Sequence, residues 1–287
     1  MASPSRTVPR ALRRATGAVC VLAAAIVTAS CAISSQQEVA MGQTYAAQID
    51  TQLPIVRDAQ VNQYLTALGQ QLAKGADRRG LTWHFAIVDS KEVNAFAVPG
   101  GWIYINRGLI ERAVTMNQVA GVLGHEIGHV TLRHTVQQMQ QSDQMNGGLM
   151  LMCTLTKVCN SGVGQAVIGA GANALFASFS RQDEAQADDQ AVKNTVIAGI
   201  DPRGIPDMFR ILLTERKSNP SAVDAWFATH PLEEDRITAT NQQIAAYPAS
   251  ELRNLQVDSE AFRSFKRRLM SLPPSPAPKK AVAGSSR

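Results

Sequence analysis

Apolar residues recur along this chain in two rhythms. Val61, Leu65, Leu68 and Leu72 fall three or four residues apart, the spacing that lines one face of a helix, and predict an amphipathic helix over 61–72. Over 83–88 the pattern alternates and is rich in strand formers, which predicts a strand. Two strand-like runs at 93–98 and 102–105 flank Pro99-Gly100-Gly101, whose residue types suit a tight turn, so a hairpin is expected there. The helical period returns over 108–140, with Asn117 as the expected cap of a helix carrying Val119, Val122, Leu123 and Ile127. Another helix is expected over 182–198, stopping at Gly199 ahead of Asp201-Pro202. Two more are expected between Pro202 and Ala246, and a basic amphipathic one over 259–269. Residues 32–55 are polar and read as loose packing or a first helix, and 74–80 as a charged turn. The fold class is therefore α+β, mostly helical, with a small sheet or hairpin and no internal repeat.

The ends of the chain break this pattern. Arg6, Arg10, Arg13 and Arg14 precede an uncharged apolar run at 15–29, which has the length of a signal-peptide core and is short for a membrane span. It ends in Thr28-Ala29-Ser30-Cys31, which resembles a lipobox that would leave Cys31 lipidated, although Thr28 stands where Leu is usual. Ordinary cleavage after Ala32 is the alternative. Residues 1–30 are thus read as a lipoprotein-type signal peptide, 31–270 as a single domain and the proline-rich 271–287 as a disordered tail. Removing the four N-terminal arginines and Lys279, Lys280 and Arg287 from the net charge of +5 leaves about −2, so no nucleic-acid footprint is expected on the domain. Residues 145–179 are rich in Gly, Ala, Met and Leu, with Lys157 as their single charge. The preferred reading is a buried or mobile element over the active site, against a membrane span. Cys153 and Cys159 lie in that stretch and would close a short disulfide loop in an oxidising compartment, or stand as two free thiols.

The chemistry concentrates in Gly124-His125-Glu126-Ile127-Gly128-His129. Residues four apart on a helix differ by about 40° around its axis, so His125 and His129 project toward one point. Two imidazole nitrogens there suit zinc, and Glu126 can meet the metal's water as a general base without taking a metal position. A catalytic zinc usually has a third protein ligand. His134 is five residues past His129, which on a continuous helix turns it away, so it is read as a surface or packing residue. Glu184 and Asp188 lie four apart on a predicted helix. Glu184 would bind the metal and Asp188 would accept the free N–H of a ligand histidine. Spacing alone leaves that reading level with a solvated acidic face, since Asp183 and Asp189 flank them.

A resemblance adds to this. His125-Glu126-Ile127-Gly128-His129, then Arg181-x-x-Glu184-x-x-Ala187-Asp188, resembles the gluzincin zinc metallopeptidase family that includes HtpX, BepA, LoiP and the CAAX prenyl proteases. Asn94-Ala95-Phe96-Ala97 with Pro99-Gly100-Gly101, and Thr229-His230-Pro231 with Arg236-Ile237, match in the same order. The likeness spans roughly residues 36–245. With no clear transmembrane helix and no repeat domain after residue 270, it is nearest to short exported LoiP-like members.

The resemblance implies a zincin-type fold, one zinc per chain held by His125, His129 and Glu184, and a second layer of Asp188, Arg181 and Arg236. It implies that the strand Asn94 to Ala97 pairs with extended substrate, and that His230 either stabilises an oxyanion, occupies the open metal position, or merely packs before Pro231. The expected function is an envelope endopeptidase acting on misfolded or misassembled envelope proteins, periplasmic and anchored to the outer membrane through Cys31. A chaperone-like assembly factor with a latent metal site is the alternative. Oligomeric state, cleavage preference and natural substrate are not legible in the sequence.

Overall fold

The computed structural model describes residues 33–77, 79–141, 178–231 and 234–276. The signal-peptide segment with Cys31, nearly all of the apolar 145–179 stretch with Cys153 and Cys159, and most of the tail lie outside the described residues. The elements below belong to one unit, Ser35–Arg287.

Polar residues 32–55 form a helix, α1 (Ser35–Gln52). The first apolar period becomes α2 (Ala59–Ala73), which buries Val61, Leu65, Leu68 and Leu72. Its N-cap Asp58 accepts the Val61 N–H at 3.0 Å, satisfying one of the helix's open donors. Three short strands follow, β1 (His84–Val88), β2 (Ala95–Val98) and β3 (Trp102–Asn106). The order is β1-β3-β2, with β1 parallel and β2 antiparallel to β3. The β2–β3 hairpin turns through Gly100 and Gly101 at φ +82° and +101°, where a side chain would be strained. At Gly101 a Cβ would also stand 2.6 Å from the Thr82 carbonyl oxygen.

The expected helix over 108–140 is in fact three pieces. The first is α3 (Arg107–Arg112) and the second α4 (Met116–Thr131). The third covers 134–141, after a turn at Leu132 and Arg133. The cap of α4 is Thr115 rather than Asn117. The Gln118 side chain reaches back to accept the Thr115 N–H, the return half of a capping box. Asn117 instead lies inside the helix and donates to the Asp201 carbonyl at 3.2 Å. Three helices, not two, fill the stretch after Pro202. After α5 (Arg181–Ile197) come α6 (Gly204–Ser218), α7 (Pro220–Thr229) and α8 (Glu234–Ala245). The extra break falls at Asn219-Pro220, where proline's missing N–H costs nothing at a helix start. A short α9 (Ala249–Leu252) and the amphipathic α10 (Glu260–Ser271) complete the unit. No helix among the described residues is long and apolar enough to cross a membrane. Tail residues Leu272 and Pro273 accept hydrogen bonds from the buried Arg107.

Helix α4 is buried along its whole length from Met116 to Val130. On one side it meets the sheet and α2, on the other α5 and α6. Its glycines set how near α5 can come. A Cβ on Gly128 would stand 3.1 Å from the Ala187 carbonyl oxygen, and one on Gly124 3.4 Å from the Ala191 Cα. Ala187 and Ala191 are themselves fully buried. This small-residue seam brings the two backbones together, with Glu184 and Asp188 facing His125 and His129. Ala187→Leu should overpack the seam and destabilise the protein by about 1–3 kcal/mol. Differential scanning calorimetry should show a Tm drop of about 2–4 °C for each of those kilocalories.

Candidate metal centre

His125, His129, Glu184 and His230 each offer one ligand atom, and these four atoms lie within 4.8 Å of one another. All four residues are buried. His125 Nε2 is 3.0 Å from His129 Nε2 and 3.4 Å from His230 Nδ1. Glu184 Oε1 is 2.9 Å from His230 Nδ1 and 3.4 Å from His129 Nε2. The histidine pair comes from α4, Glu184 from the first turn of α5, and His230 from the C-cap of α7.

Electrostatics shape the cluster. Burial alone would push the Glu184 carboxyl up, but His230, His125 and His129 outweigh it and hold the group well below the usual carboxylate range. Burial drives His129 well below the usual imidazole value. It would lower His230 too, but the adjacent Glu184 and Glu126 carboxylates reverse the sign and raise it. Burial raises the Glu126 carboxyl. Among the described residues, both Glu126 oxygens are buried without a hydrogen-bond partner, as is Glu184 Oε2. A buried carboxylate without donors is costly unless a cation serves it. The donor set is nitrogen- and oxygen-based, matches zinc's ligand chemistry, and leaves the Glu126 oxygens without a hydrogen-bond donor, so the residues present fit a zinc ion.

The surrounding contacts orient these groups. Asp188 Oδ1 lies 2.9 Å from His125 Nδ1. Asp188 in turn accepts two 2.8 Å hydrogen bonds from Arg236. Burial would raise the Asp188 carboxyl, but Arg236 and His125 hold it below its ordinary value. Arg236 Nη1 also stands 2.5 Å from Glu184 Oε2, an ion pair in which no donor is aligned on that oxygen. The same nitrogen donates to the Pro231 carbonyl at 2.9 Å, and the guanidinium lies over the Phe209 ring. Arg236 thus ties Glu184, Asp188 and the chain just after His230 into one assembly. Arg181 is exposed at the start of α5, outside this buried cluster.

Asn94 precedes β2, and its carbonyl accepts the Asn106 N–H at 2.8 Å. Ala95, Phe96 and Ala97 lie in β2, one of the two outer strands of the sheet and a neighbour of α4. The Asn94 Oδ1 is buried without a hydrogen-bond partner.

Three further neighbours, Trp226, Phe179 and Gln186, escape the sequence reading. Trp226 stacks on His230 with ring centroids 4.6 Å apart, and Phe179 covers His129 at 3.9 Å. Trp226 precedes His230 by four residues, a helical spacing that was there to be read. His134, expected at the surface or in packing, is fully buried with its Nδ1 2.9 Å from His129 Nδ1, and its Nε2 is 3.1 Å from Gln186 Oε1. The angular argument assumed one continuous helix. The chain instead turns at Arg133, whose φ of +61° swings His134 back. His134 is nevertheless not one of the four residues whose ligand atoms converge.

Removing Arg236 leaves two buried carboxylates without their cation. Arg236→Met should cost about 3–5 kcal/mol in chelator-treated protein. Zinc, which binds the folded state, should recover part of that loss. Thermal melts of both proteins with chelator and with zinc check this, and equal melting temperatures would refute it.

Comparison with known proteins agrees with this site. The model for Peptidase family M48 matches residues 59–244. The beta-barrel assembly-enhancing protease of Escherichia coli (strain K12) is 29% identical over 254 residues, covering 85% of this chain and 50% of that protein. Metalloprotease LoiP of the same organism is 29% identical over 175 residues, covering 61% and 68%. The mitochondrial metalloendopeptidase OMA1 of Danio rerio is 28% identical over 191 residues, covering 64% and 40%. The chain spans about half the length of the beta-barrel assembly-enhancing proteases it matches. The family match runs from α2 to α8, takes in every residue of the cluster and covers more than half the chain, so this protein belongs to peptidase family M48, a family of zinc metallopeptidases.

Proposed function

We propose that this protein is a zinc-dependent endopeptidase of the cell envelope that hydrolyses misfolded or misassembled proteins. The observation that carries the reading is the buried His125, His129, Glu184 and His230 cluster with the unpartnered Glu126 carboxylate beside it. His125, His129 and Glu184 would hold the metal. Bound zinc supplies Lewis acidity toward water and toward the peptide carbonyl. Glu126 is the general base: it takes the proton of the attacking water and passes it to the leaving amine. Its buried setting, with His230 Nε2 3.5 Å from Oε1, keeps bulk water from competing for that proton. Asp188 accepts the His125 Nδ1–H and so leaves His125 Nε2 as a lone pair for the metal. Arg236 steadies Asp188 and Glu184. The outer strand β2, with Asn94 at its start, receives an extended substrate by main-chain pairing, which favours broad specificity.

The name of the beta-barrel assembly-enhancing protease supports an envelope role, as does the signal-like N-terminus. The protein is read as exported, periplasmic, and anchored to the outer membrane through a lipid on Cys31. Its single zinc and protein substrates are its expected partners.

A second reading, a chaperone-like assembly factor with a latent metal site, has one observation in its favour. His230 places a fourth donor atom among the other three, where a catalytic zinc keeps a place for water. In the primary reading His230 would occupy the open metal position in a resting state.

Purified protein and Glu126→Gln, assayed together for zinc content and casein cleavage, test the base. Both should carry about one zinc per chain. Only the unmutated protein should cleave, with Glu126→Gln slower by about 10²–10⁴-fold. Zinc in both and cleavage in neither would favour the second reading. His230→Ala should keep its zinc and raise basal cleavage. A fall of about 10²–10³-fold would instead assign His230 to oxyanion stabilisation.

A further inference from the structure

We infer that His134 is a positioning residue for the metal: its Nδ1 lone pair accepts the N–H of His129 and so presents His129 Nε2 to zinc as a lone pair. The inference rests on the metal reading above and extends it to a residue outside the ligand set.

The argument follows the protons. His129 Nε2 faces the cluster, 3.0 Å from His125 Nε2 and 3.4 Å from Glu184 Oε1. A histidine that binds metal through Nε2 keeps its proton on Nδ1. That nitrogen is 2.9 Å from His134 Nδ1. Two ring nitrogens at this distance need one donor and one acceptor, so His134 Nδ1 must be bare and its proton must sit on Nε2. His134 Nε2 is 3.1 Å from Gln186 Oε1, an acceptor, with Asp183 Oδ1 at 3.8 Å. Each atom in the run from His129 through His134 to Gln186 therefore has the polarity its neighbour requires. Gln186 lies two residues beyond Glu184 on α5, so one helix supplies a metal ligand and the end of this relay.

The placement of His134 is built rather than incidental. Arg133 adopts φ +61°, unusual for a residue with a side chain. Its Nε donates to Glu38 of α1 at 2.8 Å, and Glu38 is fully buried. Arg79 joins the same carboxylate at 3.0 Å and donates to the Val130 carbonyl at 3.0 Å. These contacts fasten the turn that returns His134 to His129. The two ligand histidines are thereby held differently, His125 by the anion Asp188 and His129 by a neutral ring.

The test is zinc affinity, read by competition with a chromophoric chelator, together with the visible spectrum of the cobalt(II)-substituted protein. Four proteins are compared: wild type, His134→Leu, His134→Asn and Gln186→Met. Leucine keeps much of the bulk and removes the acceptor, so His134→Leu should bind zinc about 10–100-fold more weakly and shift the cobalt bands. Asparagine places an oxygen where Nδ1 stands, so His134→Asn should stay within about threefold of wild type. Gln186 is exposed, so Gln186→Met should fold normally and weaken zinc several-fold by loosening the His134 proton. Should His134→Leu not fold, near-wild-type affinity in His134→Asn together with a loss in Gln186→Met still supports the inference, and any other pairing of those two overturns it. Equal losses in His134→Leu and His134→Asn would assign His134 to packing and overturn it, as would wild-type affinity in every variant. A wild-type protein that binds no zinc would overturn the metal reading and this inference with it, a result distinct from the variant-specific ones.

Discussion

The close approach of α4 and α5 is the constraint on which the site depends. A helix gains nothing intrinsically from Gly124 and Gly128, and each costs about 1 kcal/mol against alanine. What they allow is contact with Ala187 and Ala191 at backbone range. At that separation the side chains on either flank of the seam have no choice of partner: His125 and His129 on one helix meet Glu184 and Asp188 on the other. The burial of α4 along its length then removes water, which is what makes each charge in the cluster matter.

That burial sets up a balance of charge. Among the described residues, three carboxylates, Glu126, Glu184 and Asp188, lie buried together with one permanent cation, Arg236. Asp188 is fully served by Arg236 and His125. Glu184 is partly served, and Glu126 has no hydrogen-bond donor. Both Glu126 and the partly served Glu184 sit beside the converging imidazole nitrogens, where a divalent cation would complete the balance. Arg236 also holds the Pro231 carbonyl, so the loop that delivers His230 is coupled to the ligands it approaches.

The far end of α4 shows a second device. The helix ends at Thr131, and a single left-handed residue, Arg133, redirects the chain. Glu38, from a helix nearly a hundred residues earlier, clamps that turn through Arg79 and Arg133. The first helix of the unit thus supports the metal centre without supplying any atom to it.

The sequence by itself determined which chemistry-bearing residues share a helix face. His125 and His129 sit four apart, Glu126 lies between them, and Glu184 and Asp188 repeat the same spacing, because helical periodicity is local and survives any packing. The hairpin around Pro99-Gly100-Gly101 and most helices were legible for the same reason. Only the tertiary structure decided what those residues face. Spacing could not separate a ligand-bearing Glu184 from a solvated acidic face, since that depends on which helix lies opposite. The break at Leu132 and Arg133 carried no proline or glycine to announce it, so the contact of His134 with His129 Nδ1 was not legible. Arg236 could be suspected of meeting an acid, but Glu184 and Asp188 on α5, Phe209 on α6 and the Pro231 carbonyl in a loop are brought within reach of one guanidinium by long-range packing alone.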